Sequence, residues 1–364
     1  MRIVIVAGAR PNFMKIAPII HVLQDRIAAG IDFSFRLVHT GQHYDTLMST
    51  TFFDELHIPK PDVNLGCGGG TQAEQTAAIM VAFERELLAH PADLVLVVGD
   101  VTSTMACSIV AKKMHAKVAH VEAGIRSFDL TMPEEINRMV TDSITDYFFT
   151  TSSVATNNLL HNGVAPQAIH FVGNVMIDTL LKQQPNFRKP FFFDAYGLQP
   201  KSYFVLTLHR PSNVDSESHL QETLKEILAN THGLPIIFPI HPRTEKLVTS
   251  LELDASQLKI VTPLGYLEFN YLVQNAKAVI TDSGGITEET TIMKVPCLTL
   301  RDSTERPETV SIGTNELVGT EPKSIQEPLS RLFAGNWKKG GVPELWDGNA
   351  AVRIVAVLEQ LIAS

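Results

Sequence analysis

The sequence predicts an α/β protein made of two Rossmann-like domains that face one cleft. Short apolar, β-branched runs alternate with segments of helical periodicity along nearly the whole chain, a pattern typical of βαβ units on a parallel sheet. The length of 364 residues exceeds the size at which single hydrophobic cores usually stop growing. Residues 181–202 interrupt the alternation with prolines and a glycine, so this segment is predicted to link the two domains.

The predicted elements give each domain its own set of parallel strands. The N-terminal domain is expected to span residues 1–180 and the C-terminal domain residues 203–345, while residues 346–364 are expected to form a helix that packs back. Strands are predicted at Arg2–Val6, Phe33–His39, Leu94–Val98, Lys117–Val121, Tyr147–Thr150, Ile169–Val172, Tyr203–Leu208, Pro235–Pro239, Lys259–Val261, Ala278–Thr281 and Pro296–Leu300. Helices are predicted between them, for example at Ile16–Asp25, Ser103–Lys113 and Glu135–Thr145.

Composition and charge exclude several classes of partner. A formal net charge of −9, with 45% hydrophobic and 19% charged residues, describes a globular chain without a general electrostatic footprint for nucleic acid or an anionic membrane. The three cysteines form no CxxC pair, which argues against a disulfide framework and for a reducing compartment. The opening apolar run is broken by Arg10 and Pro11, and no window approaches the roughly eighteen apolar residues of a membrane span. We therefore expect a cytoplasmic protein.

One predicted strand end carries the stretch TDSGGITEE, and ligands in open α/β sheets bind at the carboxyl ends of strands. Ser283, Gly284 and Gly285 come between a strand and a helix, where orphan N–H groups and the helix dipole favour a phosphate. Glu289, about one helical turn further, would face the same cleft and accept hydrogen bonds from a ribose diol. The alternative interpretation is an ordinary capped turn, with Ser283 or Asp282 as the N-cap.

Two further strand ends carry cationic or titratable side chains. Arg10 and Lys15 stand around a predicted helix start, as a clamp for an anionic ligand would, although solvated surface cations are the alternative. His209 ends the first strand of the second domain and would face the cleft, whereas a lone histidine is more often structural. The histidines of HTGQH lack a third ligand at a plausible spacing, so no metal site is expected.

Three carboxylates lie at or near neighbouring strand ends of the first domain. Asp100 and Glu122 each follow a buried apolar strand, where an acid is costly unless it is paired or functional. Glu134 lies in the first turn of the next predicted helix, and its i, i+4 spacing to Arg138 alternatively indicates a simple helical ion pair. A cluster of like charges is one way in which pKa values are raised for acid and base catalysis. These carboxylates are therefore candidate catalytic groups.

Taken together, the motifs GARPNFMKIAP, HVEAGIRS, MPEEINR, HRPSN, TDSGGITEE and RDSTERPE resemble those of the non-hydrolysing UDP-N-acetylglucosamine 2-epimerase family. The resemblance implies a two-domain glycosyltransferase-B-like fold, a homodimer, and no metal or redox cofactor. The implied activity is the reversible C2 epimerisation of UDP-N-acetylglucosamine to UDP-N-acetylmannosamine. It proceeds by elimination of UDP to 2-acetamidoglucal and re-addition of UDP.

The resemblance also implies roles for individual residues. It implies that the diphosphate and ribose of UDP are bound by Ser283, Gly284, Gly285 and Glu289. Further contacts with the nucleotide are implied for Arg10, His209 and Arg306. The residues to which it implies a catalytic role are Lys15, Asp100, Glu122, Glu134, Arg138 and His209.

The sequence departs from the usual family pattern at several positions, and two of them bear on the choice of substrate and on activation. Asn12 stands where a glutamate commonly follows Arg-Pro, and Tyr44 replaces an arginine of the segment through which some members bind a second, activating UDP-N-acetylglucosamine. We therefore expect hyperbolic kinetics. These variants also occur in relatives that epimerise other UDP-2-acetamido sugars, including 2,3-diacetamido uronic acids, so such a sugar is the alternative substrate. A glycosyltransferase of the same fold, a hydrolysing epimerase and a non-catalytic nucleotide-sugar sensor stay open as alternatives.

Overall fold

The computed structural model describes these parts of the chain: residues 1–42, 53–240, 248 and 256–363. The chain divides into two compact units. Met1–Lys182 and Glu344–Ser364 form the first unit, and Gln183–Pro343 forms the second. Each unit has its own parallel sheet and its own hydrophobic core, which confirms the predicted class of two Rossmann-like α/β domains. No helix of the described ranges is long and apolar enough to cross a membrane.

The first unit is built on a seven-stranded parallel sheet in the order β3-β2-β1-β4-β5-β6-β7. The strands are β1 (Arg2–Ala7), β2 (Ser34–His39), β3 (Val63–Asn64), β4 (Leu94–Val98), β5 (Lys117–Val121), β6 (Tyr147–Thr150) and β7 (Ile169–Phe171). The helices up to the boundary are α1 (Arg10–Ala28), α2 (Gln72–Ala89), α3 (Thr102–Lys113), α4 (Pro133–Ile144), α5 (Ser153–His161) and α6 (Val175–Gln183), with a 3-10 turn at Pro166–Ala168. The strand order reverses between β1 and β4, so the ligand-binding crevice of such a sheet opens at the ends of these two strands.

The central strands of this sheet are apolar because helices cover both faces. All residues of β4, with the sequence LVLVV, are buried. Val98 at the end of β4 pairs with Val121 at the end of β5, so the two strands end at the same edge. The N–H of Gly99 donates to the Val121 carbonyl oxygen at 3.0 Å, and the turn that carries Asp100 therefore starts beside the end of β5.

The second unit is built on a six-stranded parallel sheet in the order β10-β9-β8-β11-β12-β13. The strands are β8 (Phe204–Thr207), β9 (Ile236–Pro239), β10 (Leu258–Val261), β11 (Ala278–Thr281), β12 (Cys297–Thr299) and β13 (Asn315–Leu317). The described helices are α7 (Phe192–Ala195), α8 (Pro211–Val214), α9 (Glu217–Asn230), α10 (Tyr266–Asn275), α11 (Gly284–Met293), α12 (Pro307–Ser311) and α13 (Gln326–Phe333), with 3-10 turns at Gln184–Asn186 and Pro322–Ile325. Here the strand order reverses between β8 and β11, which are the strands that precede His209 and Ser283.

The segments outside the two predicted domain cores are ordered against one unit or the other. Of residues 181–202, Phe192 and Phe193 are buried in the core of the second unit. The terminal helix α14 (Ala350–Ala363) belongs to the first unit, where it packs against α1. The sequence pattern did not predict β3 or β13, because two or three residues that include polar side chains carry no periodic signal.

Candidate active site

The first-unit site is organised around a buried ion pair between Lys15 and Glu122. Lys15 lies on α1 after β1, Glu122 follows β5, and the distance from Lys15 Nζ to Glu122 Oε2 is 2.6 Å. The side chains are 8% and 2% exposed, respectively. Gly99, which follows β4, has a φ of +67°, and a Cβ at this position would lie 2.8 Å from Lys15 Nζ. A glycine is therefore needed here for both its conformation and the space that it leaves to the lysine.

Asp100 is held by Arg138 of α4. Arg138 Nε and Nη2 donate to Asp100 Oδ2 at 3.0 and 2.8 Å, and Arg138 Nη1 donates to Glu135 Oε2. Glu135 is almost fully buried and also accepts from the N–H and hydroxyl of Ser127 at 2.9 and 3.0 Å. Arg138 thus contacts two carboxylates, Asp100 and Glu135. Asp100 follows the end of β4 and is one of the candidate catalytic groups from the sequence analysis.

Glu134 differs from its neighbours on α4. It is half-buried, and its side chain has no hydrogen bond or ion pair with any residue that the structure describes. The helical pair with Arg138, which the spacing offered as an alternative, is not formed, because Arg138 turns to Asp100 and Glu135.

A fully buried network behind these residues was missed by the sequence analysis. His120, within β5, lies 2.7 Å from Asp142 Oδ1 through Nδ1 and 2.9 Å from the Gly99 carbonyl oxygen through Nε2. Asp142 Oδ2 also accepts from Arg126 Nη2 at 2.7 Å and from the N–H of Gly124 at 3.0 Å. Burial by itself raises the pKa of Asp142, but the hydrogen bond and charge of His120, together with Arg126, outweigh it, and the pKa is lowered.

A signal for this network was present in the sequence. Glu135, Arg138 and Asp142 recur at i, i+3 and i+7, which puts three charged side chains on one helical face. All three are buried in the structure, so this polar face of α4, and not an apolar one, is turned toward the strand ends that carry Asp100 and Glu122.

In the second unit, Asp282 at the end of β11 fixes the turn that carries His209. Asp282 Oδ2 accepts from the N–H groups of His209 and Arg210 at 2.9 and 2.8 Å, and Asp282 Oδ1 lies 2.7 Å from His209 Nδ1. Asp282 is fully buried, whereas the His209 side chain is 62% exposed. Burial favours a raised pKa for Asp282, but the hydrogen bonds and charge of His209, and the N–H of Arg210, lower it.

The start of α11 has the features of an anion site. Ser283 is the N-cap residue and its side chain forms no capping hydrogen bond, so neither Ser283 nor Asp282 caps this helix through its side chain. Gly284 is the first helical residue, and a Cβ there would lie only 2.6 Å from Glu305 Oε1. The N–H groups and dipole of this helix start favour negative charge, which the Glu305 carboxylate supplies in this structure.

Glu305 connects this helix start to two buried arginines. Arg301 Nη2 donates to Glu305 Oε2 at 2.7 Å, and Arg306 Nη1 donates to Glu305 Oε1 at 3.1 Å. Arg306 Nε also donates to Glu288 on α11. Ser283, Gly284 and Arg306, which the sequence analysis assigned to UDP, are therefore found together at this end of the second sheet.

Glu289 lies deeper in the same helix and is 4% exposed. Its Oε1 accepts a hydrogen bond from Asn270 Nδ2 on α10 at 3.4 Å. Burial, and then the neighbouring charge of Glu289, raise the pKa of Tyr266 well above its ordinary value. The sequence analysis did not name Asn270 or Tyr266, because their proximity to Glu289 arises only when α10 packs beside α11.

Three residues that the sequence analysis singled out are not placed by the structure. The backbone of Arg10 begins α1, but its side chain is outside the described part of the chain. His43 of the HTGQH stretch and Tyr44 lie among residues that are not described. Within the described ranges, no group of three or more His, Cys, Asp or Glu side chains is arranged to hold a metal ion.

Comparisons with known proteins identify the family of the chain. The family model described as UDP-N-acetylglucosamine 2-epimerase matches residues 25–359. UDP-N-acetylglucosamine 2-epimerase of Methanocaldococcus jannaschii is 41% identical over 371 residues, which cover 98% of this chain and 99% of that protein. UDP-2,3-diacetamido-2,3-dideoxy-D-glucuronate 2-epimerase of Pseudomonas aeruginosa is 38% identical over 367 residues, which cover 99% of this chain and 100% of that protein.

Solved structures give the same result for the fold. The crystal structure of the M. jannaschii UDP-GlcNAc 2-epimerase in complex with UDP-GlcNAc and UDP matches with a TM-score of 0.87 at 40% identity, and covers 99% of this chain and 100% of that chain. The two parallel-sheet α/β units therefore match those of UDP-GlcNAc 2-epimerases and are consistent with a glycosyltransferase-B-like fold. The chain belongs to the UDP-N-acetylglucosamine 2-epimerase family, a family of isomerases.

Proposed function

We propose that this chain is a non-hydrolysing 2-epimerase that interconverts UDP-N-acetylglucosamine and UDP-N-acetylmannosamine. The observation that carries the proposal is the pair of carboxylates, Asp100 and Glu122, which follow adjacent strand ends and are each held by a cation, Arg138 or Lys15. The name of the M. jannaschii relative, and the UDP-GlcNAc and UDP bound in its crystal structure, support this choice of substrate.

The chemistry of the substrate explains why the reaction passes through elimination. The C2 proton of a 2-acetamido sugar is not adjacent to a carbonyl carbon, so its direct removal and return are too slow. Expulsion of UDP from C1 in an anti elimination gives 2-acetamidoglucal and makes loss of the C2 proton feasible. UDP then adds back to C1 after a proton has been returned to the opposite face of C2.

We assign the departing UDP to the second unit. The N–H groups at Ser283, Gly284 and Gly285, with Arg306 close to them, stabilise charge that develops on the diphosphate. The family resemblance implies that Arg10 is a further nucleotide contact. Glu289 accepts hydrogen bonds from the ribose. His209, with Nδ1 directed to Asp282, presents its other ring nitrogen to the diphosphate.

We assign the proton transfers to the first unit. Inversion at C2 needs a base on one face of the sugar ring and an acid on the other, and Asp100, Glu122 and Glu134 are the carboxylates available for these roles. Lys15 and Arg138 support them electrostatically by their contacts with Glu122 and Asp100.

Proton NMR of the reaction in heavy water tests the proposal. Product from a single turnover should carry deuterium at C2, and prolonged incubation should release a little UDP and 2-acetamidoglucal. Hydrogen retained at C2 throughout would exclude this mechanism. Sugar transfer to an acceptor indicates a glycosyltransferase, stoichiometric release of free sugar and UDP indicates a hydrolysing epimerase, and binding without turnover indicates a sensor.

A different UDP-2-acetamido sugar is the second candidate substrate. The identity of 38% to the P. aeruginosa UDP-2,3-diacetamido-2,3-dideoxy-D-glucuronate 2-epimerase supports it. Parallel assays with UDP-N-acetylglucosamine and with the diacetamido uronate distinguish the two, because the preferred substrate has the higher kcat/KM. Sedimentation of the purified chain tests the homodimer that the family resemblance implies.

A further inference from the structure

Helix α4 ties together the two turns that carry the proposed catalytic carboxylates. Asn137 Nδ2 donates to the Asp100 carbonyl oxygen at 2.9 Å, and Arg138 holds the Asp100 carboxylate. One turn further along the helix, Asp142 accepts from the N–H of Gly124, two residues beyond Glu122. The helix therefore contacts the turn after β4 and the turn after β5 directly.

His120 adds a second connection between these turns. Its ring is fully buried and lies between Asp142 Oδ1, 2.7 Å from Nδ1, and the Gly99 carbonyl oxygen, 2.9 Å from Nε2. The Asp142 carboxylate and the Gly99 carbonyl group are both hydrogen-bond acceptors, so each ring nitrogen of His120 faces an acceptor. The chain of contacts thus runs from α4 through His120 to the residue before Asp100.

The position of Gly99 matters to two neighbours. It immediately precedes Asp100, so a rotation of its peptide group re-aims the Asp100 side chain. It also lies so close to Lys15 that a Cβ at Gly99 would be 2.8 Å from Nζ and 3.8 Å from Glu122 Oε2. A displaced Gly99 would therefore disturb both the Asp100 and the Lys15–Glu122 parts of the site.

We propose that His120 is a positioning residue for catalysis, which fixes the Gly99 carbonyl group and thereby the placement of Asp100 beside Lys15 and Glu122. This inference rests on the proposed function of these three residues. His120 does not touch the substrate, because its ring is buried and both of its nitrogens are used within the protein. Its contribution is to geometry, and a misplacement of about 1 Å at a reacting group costs about 10²-fold in rate.

Two amide substitutions separate the contacts of His120. In His120→Gln the side-chain nitrogen reaches about as far as Nε2 and keeps a donor for the Gly99 carbonyl oxygen. In His120→Asn the nitrogen reaches only as far as Nδ1 and keeps a donor for Asp142. His170→Gln is the matched control, because His170 lies on β7 of the same sheet and its ring contacts Phe149, away from α4.

Initial rates of epimerisation and calorimetric UDP affinity are measured for all three variants. We expect kcat to fall about 10²-fold in His120→Asn and less than about tenfold in His120→Gln, with UDP affinity within about threefold of wild type in both. His170→Gln should match wild type. Equal loss of kcat in the two His120 variants, or a loss of UDP affinity that parallels the loss of kcat, would overturn the proposal.

Amide hydrogen exchange supplies a readout that does not depend on turnover. Peptides that cover residues 98–102 should exchange faster in His120→Asn than in wild type, and at nearly the wild-type rate in His120→Gln. If the wild-type chain turns over no UDP-2-acetamido sugar, the proposed function fails. The exchange rates then test by themselves whether His120 fixes the Gly99 carbonyl group. Unchanged exchange at residues 98–102 in His120→Asn would contradict it.

Discussion

Asp282 and His209 form a pair in which the buried member positions the exposed one. The carboxylate is 0% exposed and approaches His209 Nδ1 to 2.7 Å, while the histidine side chain is 62% exposed. Asn213 Nδ2 and the N–H groups of His209 and Arg210 all donate to the second carboxylate oxygen. Asp282, at the end of β11, thus determines the geometry of the turn after the neighbouring strand β8. The strand order of the second sheet reverses between these two strands.

This asymmetry predicts different consequences for the two residues. His209→Ala should lower the free energy of unfolding less than Asp282→Asn does, because the three donors to Asp282 Oδ2 remain, but it should lower UDP affinity. Asp282→Asn should lower the free energy of unfolding by about 1.5–3 kcal/mol, because a buried charged acceptor is lost. Denaturant unfolding and calorimetry with UDP measure the two effects. Equal destabilisation by both substitutions would contradict this division of roles.

The sequence predicted where strands end better than it predicted which side chains pair with the charged residues at those strand ends. The strand that precedes Asp100 was predicted with its observed bounds, because five consecutive apolar residues of β4 are buried on both faces. The partner of Asp100 was not predicted, since Arg138 lies 38 positions away and reaches it only through the packing of α4. Local spacing pointed instead to Glu134 as the partner of that arginine.

Asp282 shows the same limit in the second unit. Its place after an apolar strand and before two glycines suggested a helix cap. In the structure its carboxylate accepts from residues 72 and 73 positions earlier in the chain. Such contacts depend on which strands are neighbours in the sheet, and the order of strands carries no local signal in the sequence.

Glu289 should contribute to UDP binding without any role in proton transfer. Glu289→Ala should weaken UDP binding by about 1.5–3 kcal/mol, the range for a hydrogen bond to a charged group. Glu327→Ala on α13 is the matched control, because this carboxylate of the same unit is 70% exposed and pairs with Arg331 one turn along the same helix. Calorimetry that gives the same UDP affinity for Glu289→Ala and wild type would remove the ribose assignment.

Lys15 and Glu122 should show strong energetic coupling. Lys15→Met or Glu122→Gln alone should lower the free energy of unfolding by about 3–5 kcal/mol, because each breaks a buried ion pair. The double variant should be less destabilised than the sum of the two, while all three variants lose about 10²–10⁴ in epimerisation rate.

A double-mutant cycle by denaturant unfolding measures this coupling. The exposed pair Arg2 and Asp93, on the same sheet with side chains 58% and 47% exposed, supplies the control. Its cycle should give a much smaller coupling than that of Lys15 and Glu122, because solvent screens exposed charges. If the double variant were destabilised by the sum of the two single effects, the contact between Lys15 and Glu122 would contribute no coupling energy, and this prediction would be wrong.

Asp178 should make the stability of the first unit depend on pH near neutrality. Its carboxylate accepts from the N–H groups of Ala350 and Ala351 at 3.1 and 2.7 Å, at the start of α14, and burial raises its pKa from 3.8 to about 6.

A raised pKa means that the folded state binds the proton more tightly, so this contribution to stability is complete below pH 3.8 and is lost as pH rises through about 6. Between pH 7 and pH 5, wild type should gain about 1 kcal/mol in free energy of unfolding relative to Asp178→Asn. The matched variant Asp93→Asn should show no such trend, because the hydrogen bond from Arg2 lowers the pKa of Asp93, which therefore stays ionised across this range. Denaturant unfolding across this range checks both, and a difference between wild type and Asp178→Asn that stays constant or grows with rising pH would refute the role of Asp178.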